Sequence, residues 1–208
     1  MCFCATGSFV AGGGLIAAGA VTLAVAQRKD WPLAVLPFIF ALQQAIEGFQ
    51  WLAPHPSANS LLFGYGYLFF AYLLWPVYMP LAVYFVEADQ KRRRMLRWFV
   101  GGGALLSIIL LGYLLVKPIG IQIWPLGIKY LIDVPFYVLG ALWYVIVVCG
   151  SLFASSRRSL KWFGVATLFS ALLAAVIFEQ TFTSVWCFFS AFLSIFIYFV
   201  VAKKLKSN

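Results

Sequence analysis

The chain has 208 residues, of which 64% are hydrophobic, 19% aromatic and only 10% charged. Soluble domains carry about 25% charged residues, so this chain cannot cover itself with a hydrated surface, and a water-soluble globular domain is excluded. The net charge of +9 is gathered into separated clusters between apolar runs, which argues against a nucleic-acid-binding face.

About 20 mostly apolar residues suffice to cross a hydrocarbon core. Seven such runs occur, at about 8–26, 31–52, 61–86, 98–116, 134–154, 162–178 and 182–202. They predict an all-α, polytopic membrane protein whose residues 1–208 form one transmembrane helical bundle. The first run reads as a membrane helix and not a cleavable signal, because no basic segment precedes it. Its sequence GSFVAGGGLIAAGA spaces Gly13 and Ala17, and Gly14 and Ala18, four apart, a stripe that lets helices approach closely.

The second run ends in FALQQAIEGFQWLAPHPSAN, the most polar stretch inside any run. Gln43, Glu47, Gln50 and Trp51 follow i, i+4, i+7, i+8 spacing and share one helix face, with Gln44 beside them. Phe38, Leu42 and Phe49 fall elsewhere on the wheel. At 1.5 Å per residue, Glu47 lies about 7–8 Å from the end of the run. A carboxylate at that depth is costly unless partnered, so it is expected to point into the bundle. The structural alternative is an interhelical anchor held by the glutamines.

In the third run WPVYMP sets Pro76 and Pro80 well inside the helix, beside Trp75. Each proline removes a backbone donor and bends the chain, either making room for a cavity or fitting packing. GGGA at 101–104 opens the fourth run as a packing surface. The loop KPIGIQIWPLGIKYLID, 117–133, alternates Ile119, Ile121 and Ile123, turns at Pro125-Leu-Gly, and alternates again at Ile128 and Tyr130. That is a hairpin pattern, apolar enough to lie on the membrane surface or fold over the helix ends as a lid. Cys149 reads as a packing residue. The last two runs are separated only by Glu179, Gln180 and Thr181, a tight helical hairpin. Beyond it Ser184, Cys187 and Ser194 form a stripe. The first and last three runs share no motif, so no internal repeat is assigned.

Of the 15 Lys and Arg residues, 13 lie in alternate loops and the tail: Arg28 and Lys29; Lys91 to Arg94 and Arg97; Arg157, Arg158 and Lys161; Lys203, Lys204 and Lys206. This positive-inside asymmetry predicts an outside N-terminus, a cytoplasmic C-terminus and a multi-pass protein of the plasma (inner) membrane. Trp31, Trp98 and Trp162 each follow a basic cluster, as an interfacial belt would. The expected partners are the bilayer itself, with anionic lipid at the basic cytoplasmic loops, and a small ligand or ion; nucleic acid is not one. In this topology His55, Asp133, Glu179, Gln180, Thr181, Thr183, Ser184 and Cys187 join the Glu47 stripe in the outer half. The inner halves of the runs read as almost free of polar side chains.

Several chemistries lack their residues. A retinal protein needs a Schiff-base lysine, and 182–202 contain none. Multi-histidine zinc hydrolysis and bis-histidine haem fail on the single histidine, His55. Glu47, His55 and Glu179 are weak candidates for a mixed metal site without signature spacing. No glycine-rich phosphate loop or GxSxG elbow is present. Cys2, Cys4 and Cys187 fall in the expected outer half, where a disulfide such as Cys2–Cys187 would form.

MCFCATGSFVAG, QQAIEGFQW, FFAYLLWPVYMPLAVYFVE and SVWCFF, in that order, resemble a family of uncharacterised bacterial membrane proteins opening with Met-Cys-Phe-Ser-Ala-Thr-Ala-Ser-Phe. The resemblance implies a bacterial source and carries over Cys2, Gln43, Gln44, Glu47, Trp51, Trp75, Pro76, Trp186 and Cys187, with no established activity or cofactor. Cys4 stands where that family shows serine, which leaves Cys2 and Cys187 as the candidate disulfide. The functional expectation is an outward-facing polar pocket for a small ligand, ion or proton, transporter- or sensor-like. Gln43, Gln44, Glu47, Gln50, Trp51, Trp75, Glu179, Trp186 and Cys187 are its candidate binding residues. The alternatives are a membrane-embedded enzyme using Glu47 with His55 or Glu179, or the outer cysteines, and a structural subunit of a membrane complex. No cofactor is assigned.

Overall fold

The computed structural model describes residues 4–202. Seven helical spans among them are long and apolar enough to cross a membrane: α1 (Ala5–Val25), α2 (Arg28–Leu52), α3 (Ala58–Val86), α4 (Gln90–Val116), α5 (Tyr137–Ala154), α6 (Arg158–Ile177) and α7 (Glu179–Ala202). Seven such spans point to a multi-pass membrane protein. Consecutive helices pack in chain order, and the end of α7 returns to α1, closing the bundle. α2, α3 and α7 are the most buried and α4 the most peripheral.

Six of the seven helices start three or more residues earlier than the apolar runs suggest, and in two of them a side chain caps the new start. α4 begins at Gln90, because the Asp89 carboxylate accepts a hydrogen bond from the Arg92 amide at 2.8 Å. The basic stretch Lys91 to Arg97 is therefore its first two turns and not a loop. Ser57 caps α3 in the same way, accepting from the Ser60 amide at 3.1 Å.

The small-residue stripe of α1 is displaced from its expected register. α1 packs on α2 through Ser8, Ala11, Gly12, Leu15, Gly19 and Thr22. A Cβ at Gly12 would sit 3.3 Å from the Ala41 carbonyl, whereas Gly13 and Gly14 have open space around them. In a run of three glycines the composition is uniform, and only the flanking Leu15 and Ala11 choose the buried face.

α3 is not a regular helix. Residues Phe69–Leu74 form a π-turn, in which the Trp75 amide reaches back five residues to the Phe70 carbonyl. Pro76 has no amide hydrogen, and the carbonyls left over are taken by side chains of neighbouring helices. The Tyr144 hydroxyl donates to the Ala71 carbonyl at 2.7 Å. The Ser107 hydroxyl donates to the Leu73 carbonyl at 3.0 Å. One turn on, Pro80 cannot donate to the Pro76 carbonyl, and the backbone of α4 at Gly103 packs directly against that oxygen.

The loop between α4 and α5 forms the expected hairpin. β1 (Gly120–Trp124) pairs antiparallel with β2 (Gly127–Leu131), Ile121 opposite Tyr130 and Ile123 opposite Ile128. Gly127, at φ 143°, closes the two-residue turn in a conformation that favours glycine. The hairpin folds onto one end of the bundle. Ile119 and Ile128 are buried, the Ile121 side chain lies against Gly64 of α3, and the Thr181 hydroxyl donates to the Leu126 carbonyl at 3.3 Å. Lys129 hydrogen-bonds Gln180 at the α6–α7 turn. Of the two readings of this loop, the one that covers helix ends is the one seen.

Candidate functional site

Beneath the hairpin, α2, α3 and α7 bring together most of the polar residues singled out above. Gln43, Gln44 and Gln50 are fully buried and Glu47 is 2% exposed, while Leu42 and Phe49 on the other faces of α2 are exposed. The expected one-sided polar face is therefore present and turned inward. The Ser184 hydroxyl of α7 donates to Glu47 Oε1 at 2.5 Å, and Gln44 Nε2 donates to Glu47 Oε2 at 3.3 Å. Trp75, the first residue after the π-turn, donates from Nε1 to Gln43 Oε1 at 2.7 Å and stacks on Phe40 at 4.0 Å between centroids. The π-turn thus aims this indole at α2.

Two residues that the sequence reading passed over complete the cluster. Tyr67 of α3 stacks on Tyr130 of the hairpin, centroids 4.9 Å apart and planes 7° from parallel. Its hydroxyl lies 3.4 Å from the Ser184 carbonyl. Glu47, Tyr67, Tyr130 and the Cys187 thiol are close enough to feel one another electrostatically, and Gln43 also faces that thiol. Burial, first, and then the neighbouring Glu47 push the Tyr130 phenol well above its ordinary range, so it stays protonated. Among so many tyrosines, nothing in the sequence distinguishes these two. Only the hairpin register, which sets Tyr130 opposite Ile121, brings the ring inward.

Several buried polar atoms meet no hydrogen-bond partner among the described residues: Gln43 Nε2, Gln44 Oε1 and the Tyr130 hydroxyl in this layer, and Gln50 Oε1 beyond it. Buried polar atoms are ordinarily satisfied, so each unsatisfied one marks strain or a place where something else bonds. In this layer Gln44 thus spends its Nε2 on Glu47 and leaves its Oε1 uncommitted, while Gln43, bonded through Oε1 to Trp75, also faces the Cys187 thiol.

Other candidates sit apart. Gln50 Nε2 lies 2.8 Å from His55 Nε2 and donates to the Ser60 hydroxyl at 3.0 Å, so these residues form a second, more peripheral group. Trp51 is half-buried and Glu179 exposed at the helix turn. Among the described residues no three His, Cys, Asp or Glu side chains come close enough to hold a metal, so Glu47, His55 and Glu179 are not gathered into a donor set. Trp186 is buried and donates to the Thr167 carbonyl at 3.4 Å. Cys187 is a buried thiol, and Cys2 lies outside the described residues. Pro76 follows the π-turn as described above.

Three cavities run along α7 from the hairpin. One of about 200 Å³ lies under it, with Tyr130, Lys129, Glu179 and Gln180 in its walls. A second, of about 70 Å³ and apolar, begins among the same Tyr72, Tyr137, Phe182 and Thr183 and reaches Trp186 and Cys187. A third, of about 30 Å³, continues past Cys187 and Trp186 toward Phe40, Trp75 and Met79. Glu47 is not among their lining residues and is buried, and its partner Ser184 lies one turn before Cys187 on α7.

The opposite end of the bundle, where the basic clusters between the runs lie, is tied together by buried charges. Asp30, fully buried, pairs with Arg157 Nη1 at 2.6 Å. Glu87 is buried and accepts from Ser155 Oγ at 2.9 Å, the Ser156 amide at 2.7 Å and Ser156 Oγ at 2.5 Å. Arg157 also donates to the Val86 carbonyl, and Arg92 to that of Ala154. These contacts bind the α1–α2, α3–α4 and α5–α6 turns to one another. Burial alone would raise the Glu87 carboxyl, but the hydrogen bonds from Ser156, from the Asp89 amide and from Ser155 outweigh it and bring it from 4.5 down to about 2. A carboxyl lowered on folding contributes stability above its unfolded value, and the contribution fades as pH falls toward the folded one. The melting temperature is therefore expected to drop between pH 4.5 and 2, and less steeply in Glu87→Gln, in thermal scans of the purified protein.

A model of a family of unknown function, DUF6629, matches residues 1–208. No curated protein matches the chain. No solved structure matches it either.

Proposed function

Because the chain belongs to the family of unknown function DUF6629, we propose its role from its geometry: a multi-pass protein of the bacterial plasma membrane that takes up a proton, ion or small polar ligand at the Glu47 layer, in a transporter- or sensor-like manner. The hairpin end faces outward in this reading, supported by the 13 basic residues that lie toward the other end or in the tail. The observation that carries the proposal is the pairing of a buried carboxyl with the buried Gln44 amide, which bonds it through Nε2 and keeps Oε1 unspent. Glu47 supplies the exchangeable charge, Ser184 and Gln44 orient it, and Trp75, through Gln43, holds the neighbouring amide.

Glu47→Gln tests this, since it keeps the shape and the Ser184 contact. Infrared difference spectra across a pH titration of wild type are expected to show a buried carboxyl band that the variant lacks. Proton uptake into pH-dye-loaded liposomes is expected to fall at least tenfold. Wild type and variant giving the same spectra and the same uptake would overturn the proposal.

A further inference from the structure

The polar cavity under the hairpin and the apolar one beyond it form one amphipathic crevice, since Tyr72, Val134, Tyr137, Phe182 and Thr183 line both. Its mouth, of about 200 Å³, contains one cation and one anion, Lys129 and Glu179. Neither is paired with an opposite charge among the described residues, whereas Lys117 and Asp133 at the same end pair with each other at 3.0 Å. Lys129 is held in place by its bond to Gln180 and by lying over the Trp124 ring at 5.5 Å. The buried Tyr130 hydroxyl, unpartnered among the described residues, belongs to a side chain in the same wall. The inner limb is an apolar pocket of about 70 Å³, lined by aromatic rings with Gly140 and Ala141. That is about half the ~150 Å³ cavity that accepts a benzene ring, so it offers room for a few aliphatic carbons.

We propose that this crevice binds a small zwitterion with a short aliphatic side chain, of the amino-acid class. The carboxylate meets Lys129, the ammonium meets Glu179, and the side chain enters the limb toward Cys187. A simple anion would leave Glu179 facing like charge, and a simple cation would leave Lys129 so, which disfavours both. The inference goes beyond the Glu47 reading. It holds if Glu47 is inert, and fails without affecting proton uptake there.

Isothermal titration of the full chain in nanodiscs tests it with leucine, 3-methylbutylamine, 4-methylpentanoate, glycine and tryptophan as probes. Saturable binding of leucine is expected, with each of the other four at least tenfold weaker. Lys129→Gln and Glu179→Gln alter a half-buried and an exposed side chain, so both variants should fold, and each is expected to weaken leucine at least tenfold. Leucine failing to bind, the singly charged analogues binding equally well, or both variants binding like wild type would each overturn the assignment. Glu47→Gln run in parallel separates the two proposals, because leucine affinity in that variant is expected to stay within about threefold of wild type.

Discussion

Gly103→Ala is expected to destabilise the protein severely, while Gly101→Ala, two residues away on the same helix, is expected to be neutral or slightly stabilising. A Cβ at Gly103 would lie 1.9 Å from the Pro76 carbonyl oxygen and 2.7 Å from its carbon. Those are backbone atoms of a helix held by its own packing, so α3 and α4 would have to part. Overpacking of this kind costs about 3 kcal/mol or more. At 2–4 °C per kcal/mol for a chain of this size, the melting temperature should fall by roughly 10 °C. At Gly101 a Cβ meets nothing within 4 Å, and replacing a helical glycine by alanine gains up to about 1 kcal/mol. Thermal scans of both variants in one detergent decide the matter; equal melting temperatures would refute the close approach.

The second large effect is expected at the opposite end. Asp30→Ala leaves Arg157 with no anion beside a side chain that is only 14% exposed, and removing one partner of a buried pair costs about 3–5 kcal/mol. Replacing both, as Asp30→Leu with Arg157→Leu, removes the stranded charge and is expected to recover most of the loss, less the Arg157 bond to the Val86 carbonyl. A double-mutant cycle on melting temperatures measures the coupling. Additive losses would mean that the two side chains act independently.

The seven spans, the hairpin and the inward face of α2 were legible because each rests on a period: a run of apolar residues, an alternation of two, a stripe at i, i+4 and i+7. The boundaries that shifted are those where polar residues cap or extend a helix, as at Asp89. The Asp30, Glu87 and Arg157 network was hidden for a different reason. Those residues stand at the ends of apolar runs, where charge signals topology, and their burial arises only when three separate turns converge. Tyr67 and Tyr130 were hidden by abundance, since neither differs in context from the other tyrosines until the hairpin register brings the two together. Gly13 and Gly14 misled because three consecutive glycines carry no phase. The membership of an uncharacterised family fits the resemblance noted from the motifs, and Glu47, Gln43, Gln44, Trp75 and Cys187 do meet in one layer.

The π-turn of α3 has a bearing on how its two halves are used. A regular α-helix advances 100° per residue, so one extra residue in a turn puts everything after it a quarter-turn or so out of phase with everything before. α3 is in effect two half-helices offset by one residue step. Its hairpin-side half aims Tyr67 at α7 and the hairpin, and its other half aims Trp75 at Gln43. A single unbroken helix would carry those two side chains at a fixed angle. At 100° per residue, eight residues would set Tyr67 and Trp75 about 80° apart; the residue absorbed by the π-turn takes one step away, so that both rings come to nearly the same face and reach the polar layer.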